Sequence, residues 1–228
     1  MFIGIDGTGP RSNNAYEIEF QDSFVNKLYR NCSLRDAYSV YRRGPTLWGF
    51  ESTSISSEVV NFVKKVVQNY GDNRICMGGY SRGGAICIDV AQRLQRDTSL
   101  DVEIECMVLF DAVDRAPGID ASYIPENVQY AYHAMRDPKL GSRSYFGNCG
   151  TTINSPGKLE MRYFLATHAA LGGMPGTGDS TRTVPKYKRH GRIEFIEKEI
   201  ISEGDDKDGS RRVREWVQSK IQRHGLYI

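Results

Sequence analysis

Gly79-Tyr80-Ser81-Arg82-Gly83 fits the pattern G-x-S-x-G, in which small flanking residues let a chain turn sharply from strand to helix and leave a serine hydroxyl exposed at the turn. The chemistry on offer is nucleophilic attack by Ser81. A bare match is weak in a chain with 23 glycines, so its weight rests on context: an apolar run precedes it and a helical stripe follows. The competing reading is a glycine-rich turn that only permits close packing, or that binds a phosphate at the helix N-terminus.

A serine nucleophile needs a base within hydrogen-bond reach and an acid to orient that base, in the chain order Ser, Asp or Glu, His for this architecture. His133 lies within an apolar run and reads as a satisfied core histidine, His190 sits in the basic run Lys186-Tyr187-Lys188-Arg189-His190, and His224 is at the frayed tail. His168 follows Met161 to Thr167 and precedes Gly172-Gly173, as a catalytic loop histidine would. Two positions are open for the acid: Asp111 after Phe110, and Asp137 before Pro138, each of which also reads as a turn residue. Asp114 and Asp120 read as loop residues. Oxyanion stabilisation needs two preorganised donors, here the N–H of Arg82 and one from an early strand-to-helix loop. Asp6-Gly7-Thr8-Gly9 supplies that loop, with Gly7 permitting close backbone approach and Thr8 adding a hydroxyl. A phosphatase reading of Ile5-Asp6-Gly7-Thr8 fails, because Gly4 stands where the first of two aspartates is required.

These residues can meet only if several strands end at one edge. Phe2 to Ile5 reads as a buried strand, Ala15 to Arg30 as one helix carrying Tyr16, Phe20, Phe24 and Leu28, and Ala37 to Tyr41 as a short strand. Ser56 or Ser57 can cap a helix whose face is Val59, Phe62, Val63, Val66, Val67 and Tyr70, ended by Gly71. Arg74 to Met77 is the strand before the serine turn, and Cys87, Val90, Ala91 and Leu94 mark the helix after it. Three more strands, Glu103 to Phe110, Val128 to Met135 and Leu159 to Ala166, deliver Asp111, Asp137 and His168. Arg211 to Arg223, with Trp216 on its apolar face, closes the chain as a helix. The alternation predicts an α/β fold: a three-layer α/β/α sandwich with a mostly parallel sheet, built as a single domain over residues 1–228. Loops over about 112–127, 141–158 and 172–188 are expected to act as lid or substrate loops, and Ile119, Tyr123, Ile124 and Met174 as an apolar entrance if the substrate is a lipid.

Composition narrows the classes further. Apolar residues make up 39% and charged residues 25%, with mean hydropathy −0.48, which excludes a disordered chain and a membrane-embedded one. A formal charge of +2 offers no electrostatic case for nucleic acid. Five cysteines, three of them (Cys76, Cys87 and Cys106) inside apolar runs, point to a reducing compartment. No CxxC or HExxH spacing is present and the four histidines are dispersed, so neither metal nor other cofactor is expected. The opening MFIGIDGTGP lacks the basic and long apolar regions of a signal peptide, so the expected location is cytoplasmic, or outside the cell by another route.

Together these motifs resemble a family of α/β-hydrolase domains that includes type VI secretion phospholipase effectors. The resemblance is carried by Ile5-Asp6-Gly7-Thr8-Gly9 (like FDGT-G), Gly79-Tyr80-Ser81-Arg82-Gly83-Gly84-Ala85 (like GFSRGA), Phe110-Asp111-Ala112-Val113 (like DTV), Tyr132-His133-Ala134 before Asp137, His168-Ala169-Ala170-Leu171-Gly172-Gly173 (like HSD-GGG), and the tail helix with Trp216. It implies Ser81 as nucleophile, His168 as base and Asp111 as acid, in a bacterial esterase or lipase forming an acyl-enzyme. It also implies an ester or lipid substrate, transient contact with a membrane surface, and a secretion or immunity partner. Two departures stand out: Ala170 replaces the family's aspartate two residues after the histidine, and the long effectors' membrane-association module has no counterpart here. Both point toward a smaller or more soluble ester. A phospholipase, and a catalytically silent binding domain that keeps the fold, are the rival expectations.

Overall fold

The computed structural model describes residues 1–32, 38–71, 74–114, 118–137, 148–176 and 201–228 in full, and the backbone of 180–187 and 193–200. Ala37, Pro138, His190 and parts of all three long loops lie outside the described residues.

Strand β1 (Phe2–Ile5) is buried along its whole length, as its apolar run requires. The helical pattern after it is two helices, α1 (Asn13–Phe20) and α2 (Phe24–Asn31), instead of one. The break is chemical: Ser23 turns its hydroxyl to the Asp6 carboxylate while its oxygen caps α2, accepting the Asn26 N–H at 3.0 Å. After β2 (Val40–Arg42), helix α3 (Ser52–Tyr70) starts ahead of the expected caps. Ser56 lies inside it, bonded to Asp89, and Gly71 ends it in the left-handed conformation at φ 70°. Strand β3 (Arg74–Tyr80) runs three residues beyond Met77, through Gly78 and Gly79, because pairing with β1 on one side and β4 on the other holds those glycines extended. Helix α4 (Arg82–Arg96), β4 (Glu103–Phe110), β5 (Val128–Arg136) and β6 (Lys158–Phe164) follow, then the single turn α5 (His168–Leu171).

The six strands form an all-parallel sheet in the order β2-β1-β3-β4-β5-β6. Successive side chains along each strand point to opposite faces. Ile104, Met107 and Leu109 of β4 join the α3 and α4 face with Val59, Val63, Ile86 and Val90. Cys106, Val108 and Phe110 join the opposite face with Phe24 and Leu28 of α2 and Val213 and Val217 of α6 (Glu203–Ile221). These two apolar interfaces make the predicted three-layer α/β sandwich.

Four expectations need correction. The 172–188 stretch is not all loop: β7 (Ser180–Tyr187) pairs antiparallel with β8 (Ile193–Ile201), with a register shift at Val184/Pro185 where proline cannot donate to the ladder. The closing helix begins eight residues before Arg211, because Ser202 caps it, accepting the Asp205 N–H at 3.1 Å, and three acidic residues occupy the first turn. His224 is not in a frayed tail; it is 3% exposed in a 3₁₀ turn (Gln222–His224), with Nδ1 2.6 Å from Glu105. The described parts of the first two long loops pair with each other at Val113↔Asn148 and Ile124↔Ile153, and Ala121, Ile124 and Cys149 belong to the core. Among the described residues no helix is long and apolar enough to cross a membrane, and all five cysteines are buried free thiols.

Candidate active site

Ser81 joins β3 to α4 with φ 55° and ψ −128°. That region favours glycine, and holding another residue there costs about 1–3 kcal/mol. Fully burying one large apolar side chain returns roughly 1.5–3 kcal/mol, so the sheet's interfaces readily hold the turn. The approach of α4 to β1 is what demands glycine beside the serine: a Cβ on Gly83 would fall 2.2 Å from the Ile5 carbonyl oxygen. The Ser81 N–H donates to Phe110 O at 3.0 Å, tying the turn to the end of β4.

Asp111 is the next residue along β4, also at positive φ (47°), and its carboxylate is fully buried. Oδ1 accepts the Arg136 N–H at 2.7 Å, and Oδ2 lies 2.6 Å from His168 Nδ1. His168 opens α5, whose cap is Thr167: its Oγ1 accepts the Ala170 N–H at 3.2 Å. His168 Nε2 lies 2.9 Å from Ser81 Oγ. A carboxylate can only accept, so Nδ1 carries the ring proton and Nε2 accepts from the Ser81 hydroxyl. The three predicted residues are thus one continuous relay, with the acid sealed and the imidazole one-third exposed. Of the two acid candidates, Asp111 occupies the position at His168; Asp137 lies past the end of β5, its N–H donating to Phe164 O at 2.9 Å. His133 is a core histidine, as expected, its Nε2 accepting the Ala112 N–H at 3.0 Å and its Nδ1 3.0 Å from Gly150 O.

The predicted oxyanion loop lies beside the serine, since a Cβ on Gly7 would be 3.2 Å from Ser81 Cβ. Gly7 keeps the role expected of it. The Gly7 N–H donates to Asp6 Oδ1 at 3.0 Å, so Gly7 supplies close approach and not a donor. Thr8 N–H and Arg82 N–H, the latter in the first turn of α4, are left as the candidate pair. The Arg82 guanidinium bridges the same loops, donating from Nη1 to Thr8 Oγ1 at 3.2 Å and to Leu47 O at 2.6 Å.

Three contributors escaped the sequence reading. Tyr80, the variable residue before Ser81, lays its ring 4.9 Å from the imidazole and donates its hydroxyl to His168 O at 3.1 Å. Burial pushes its phenol well above the ordinary value, so it stays a donor. Asp206 of α6 accepts the Thr167 N–H at 2.7 Å, the Thr167 hydroxyl at 2.9 Å and the Gly176 N–H at 3.0 Å, pinning both ends of the His168 segment. Asp6, fully buried, carries the third role. Desolvation pushes its carboxyl up to about 6, against the lowering effect of hydrogen bonds from Ser23, Tyr41 and Gly7. Only spacing in three dimensions gives Tyr80 and Asp206 their functions; the placement of Asp6 beside Gly7 was the available hint.

Of the four residues expected as an apolar entrance, Ile124 is fully buried and Ile119 packs against the core, whereas Tyr123 and Met174 are half-buried. The exposed apolar residues near the site are Leu47, Trp48 and Phe50, each at least 70% exposed, on a turn closed by Gly49 N–H to Thr46 O at 2.9 Å. Among the described residues no cluster of His, Cys, Asp or Glu could hold a metal ion. The chain matches no protein-family model and no curated protein.

Proposed function

We propose that this protein is a serine hydrolase that cleaves a carboxylic ester through an acyl-enzyme. One observation carries the reading: Ser81, at a strained turn, is hydrogen-bonded to His168, which is hydrogen-bonded to the buried Asp111. Ser81 Oγ attacks the acyl carbon while His168 Nε2 takes its proton, and Asp111 stabilises the imidazolium that forms. The carbonyl oxygen becomes an oxyanion held by the Thr8 and Arg82 N–H groups. Collapse expels the alcohol, which takes the proton from His168, and water repeats the sequence to release the acid. The same residues carry the resemblance to the α/β-hydrolase family, which is part of this proposal.

The test is intact-mass spectrometry after exposure to a fluorophosphonate. A single adduct is expected on the wild type and none on Ser81→Ala, with Ser81→Ala and His168→Ala lowering ester kcat by roughly 10⁴ to 10⁶. Asp111→Asn should lose about 10⁴, and a larger loss in Asp137→Asn would reassign the acid. No adduct on folded wild type would favour a silent binding domain.

The Leu47 to Phe50 turn favours a second reading, an ester presented at a lipid surface, since Trp, Phe and Leu on an exposed tip suit an apolar–aqueous boundary. Trp48 is one of two tryptophans, and the other, Trp216, packs against Phe164. Anionic phospholipid vesicles should therefore shift the emission of Ser81→Ala protein to the blue, and Trp48→Phe should abolish the shift. An unchanged spectrum would leave a soluble ester as substrate.

A further inference from the structure

Gly7 is held at both of its polar groups. Its N–H donates to Asp6 Oδ1 at 3.0 Å, and its carbonyl oxygen accepts the Tyr16 hydroxyl at 2.6 Å. Tyr16 is itself fixed: its oxygen accepts the Gly44 N–H at 2.7 Å, its ring stacks on Phe20 with centroids 4.2 Å apart, and the Arg43 guanidinium lies 4.5 Å from its ring centroid. Asp6 is anchored by the Ser23 hydroxyl and by the Tyr41 hydroxyl at 2.9 Å. Buried backbone groups need partners, and at Gly7 both partners are side chains, so the orientation of this loop is set by two residues that can be substituted.

The peptide bond supplies the reason. In a trans peptide the N–H of Thr8 points opposite to the C=O of Gly7. Turning that peptide over changes ψ of Gly7, which glycine allows at little cost, together with φ of Thr8; the Tyr16 bond holds this peptide and the Asp6 bond holds the one before it. A flip would replace the Thr8 donor with the Gly7 carbonyl, an acceptor that would repel an oxyanion beside Ser81. We propose that Tyr16 and Asp6 are positioning residues that lock the Gly7–Thr8 peptide so that the Thr8 N–H faces the developing oxyanion. The proposal rests on the ester-hydrolase reading of Ser81 and deepens it.

Tyr16→Phe tests it, because the ring stays stacked while the hydroxyl on Gly7 O is lost. With p-nitrophenyl acetate, kcat per fluorophosphonate-titrated Ser81 should fall roughly ten- to a hundredfold at nearly constant KM. The inhibition constant of phenylboronic acid, whose tetrahedral adduct puts an oxygen on the same donors, should rise by the same factor. A purely structural role would lower the melting temperature and the titratable fraction without moving either ratio. Asp6→Asn, which weakens the hold on Gly7 N–H, should lose about tenfold in the same two readouts, and it decides the matter if Tyr16→Phe does not fold. Folded variants within about twofold of wild type in both readouts would overturn the proposal and leave the hydrolase reading standing. A folded wild type that neither labels at Ser81 nor cleaves the ester would overturn the hydrolase reading, and this proposal with it.

Discussion

Asp6 illustrates how a single carboxyl can be set against its surroundings. Burial raises it to about 6, so the folded protein binds its proton more readily than the unfolded chain does. The sign follows from linkage: the protonated form's stability is fully present below the unfolded value near 3.8 and is lost as pH rises through about 6. The melting temperature of the wild type, measured relative to Asp6→Asn, should therefore rise as pH is lowered from 7 to 4. A difference that stays constant over that window would show that Asp6 does not titrate there. Ser81, His168 and the two acid candidates were legible in the sequence because motif and strand ends are local. The commitment of the Gly7 N–H was not, since it depends on how the Asp6 side chain is held by Ser23 and Tyr41, 17 and 35 residues away.

Helix α6 does more than cover the sheet. Its first turn carries Asp206, which is 1% exposed and receives three hydrogen bonds from the segments on either side of α5. Removing that acceptor in Asp206→Ala leaves buried donors unsatisfied, which should cost about 2–4 kcal/mol in urea unfolding and lower kcat more than it raises KM. Unchanged kcat would mean that α5 holds His168 unaided. Elements carried by continuous apolar runs, such as β4 and β5, matched their expected bounds closely. Those that differed were decided by long-range partners or by caps: Ser23 splits one helical pattern into two by turning to Asp6, and Ser202 starts α6 upstream of its apolar stripe. The β7–β8 hairpin was missed although Ile193 to Ile201 contains apolar–polar alternation, because Pro185 and the nearby glycines read as loop.

At the scale of the molecule, the all-parallel sheet explains why the candidate site lies where it does: β1, β3 and β4 end at one edge, and the chain returns past β6 to bring His168 to the same place. Fold class was legible because alternating strand and helix patterns leave few architectures. The arrangement also has a kinetic consequence. Ser81 and His168 are 87 residues apart in the chain, and His168 and Asp111 are 57 apart. Parallel pairing forces each strand to wait for a long connection to close, and a chain of this size commonly folds through partly organised intermediates. On dilution from denaturant, far-ultraviolet circular dichroism should therefore recover before Ser81 regains its reactivity toward a fluorophosphonate, whereas coincident recovery would mean a single concerted step. During synthesis, the same separation leaves the proposed triad incomplete until the segment bearing His168 has emerged and docked.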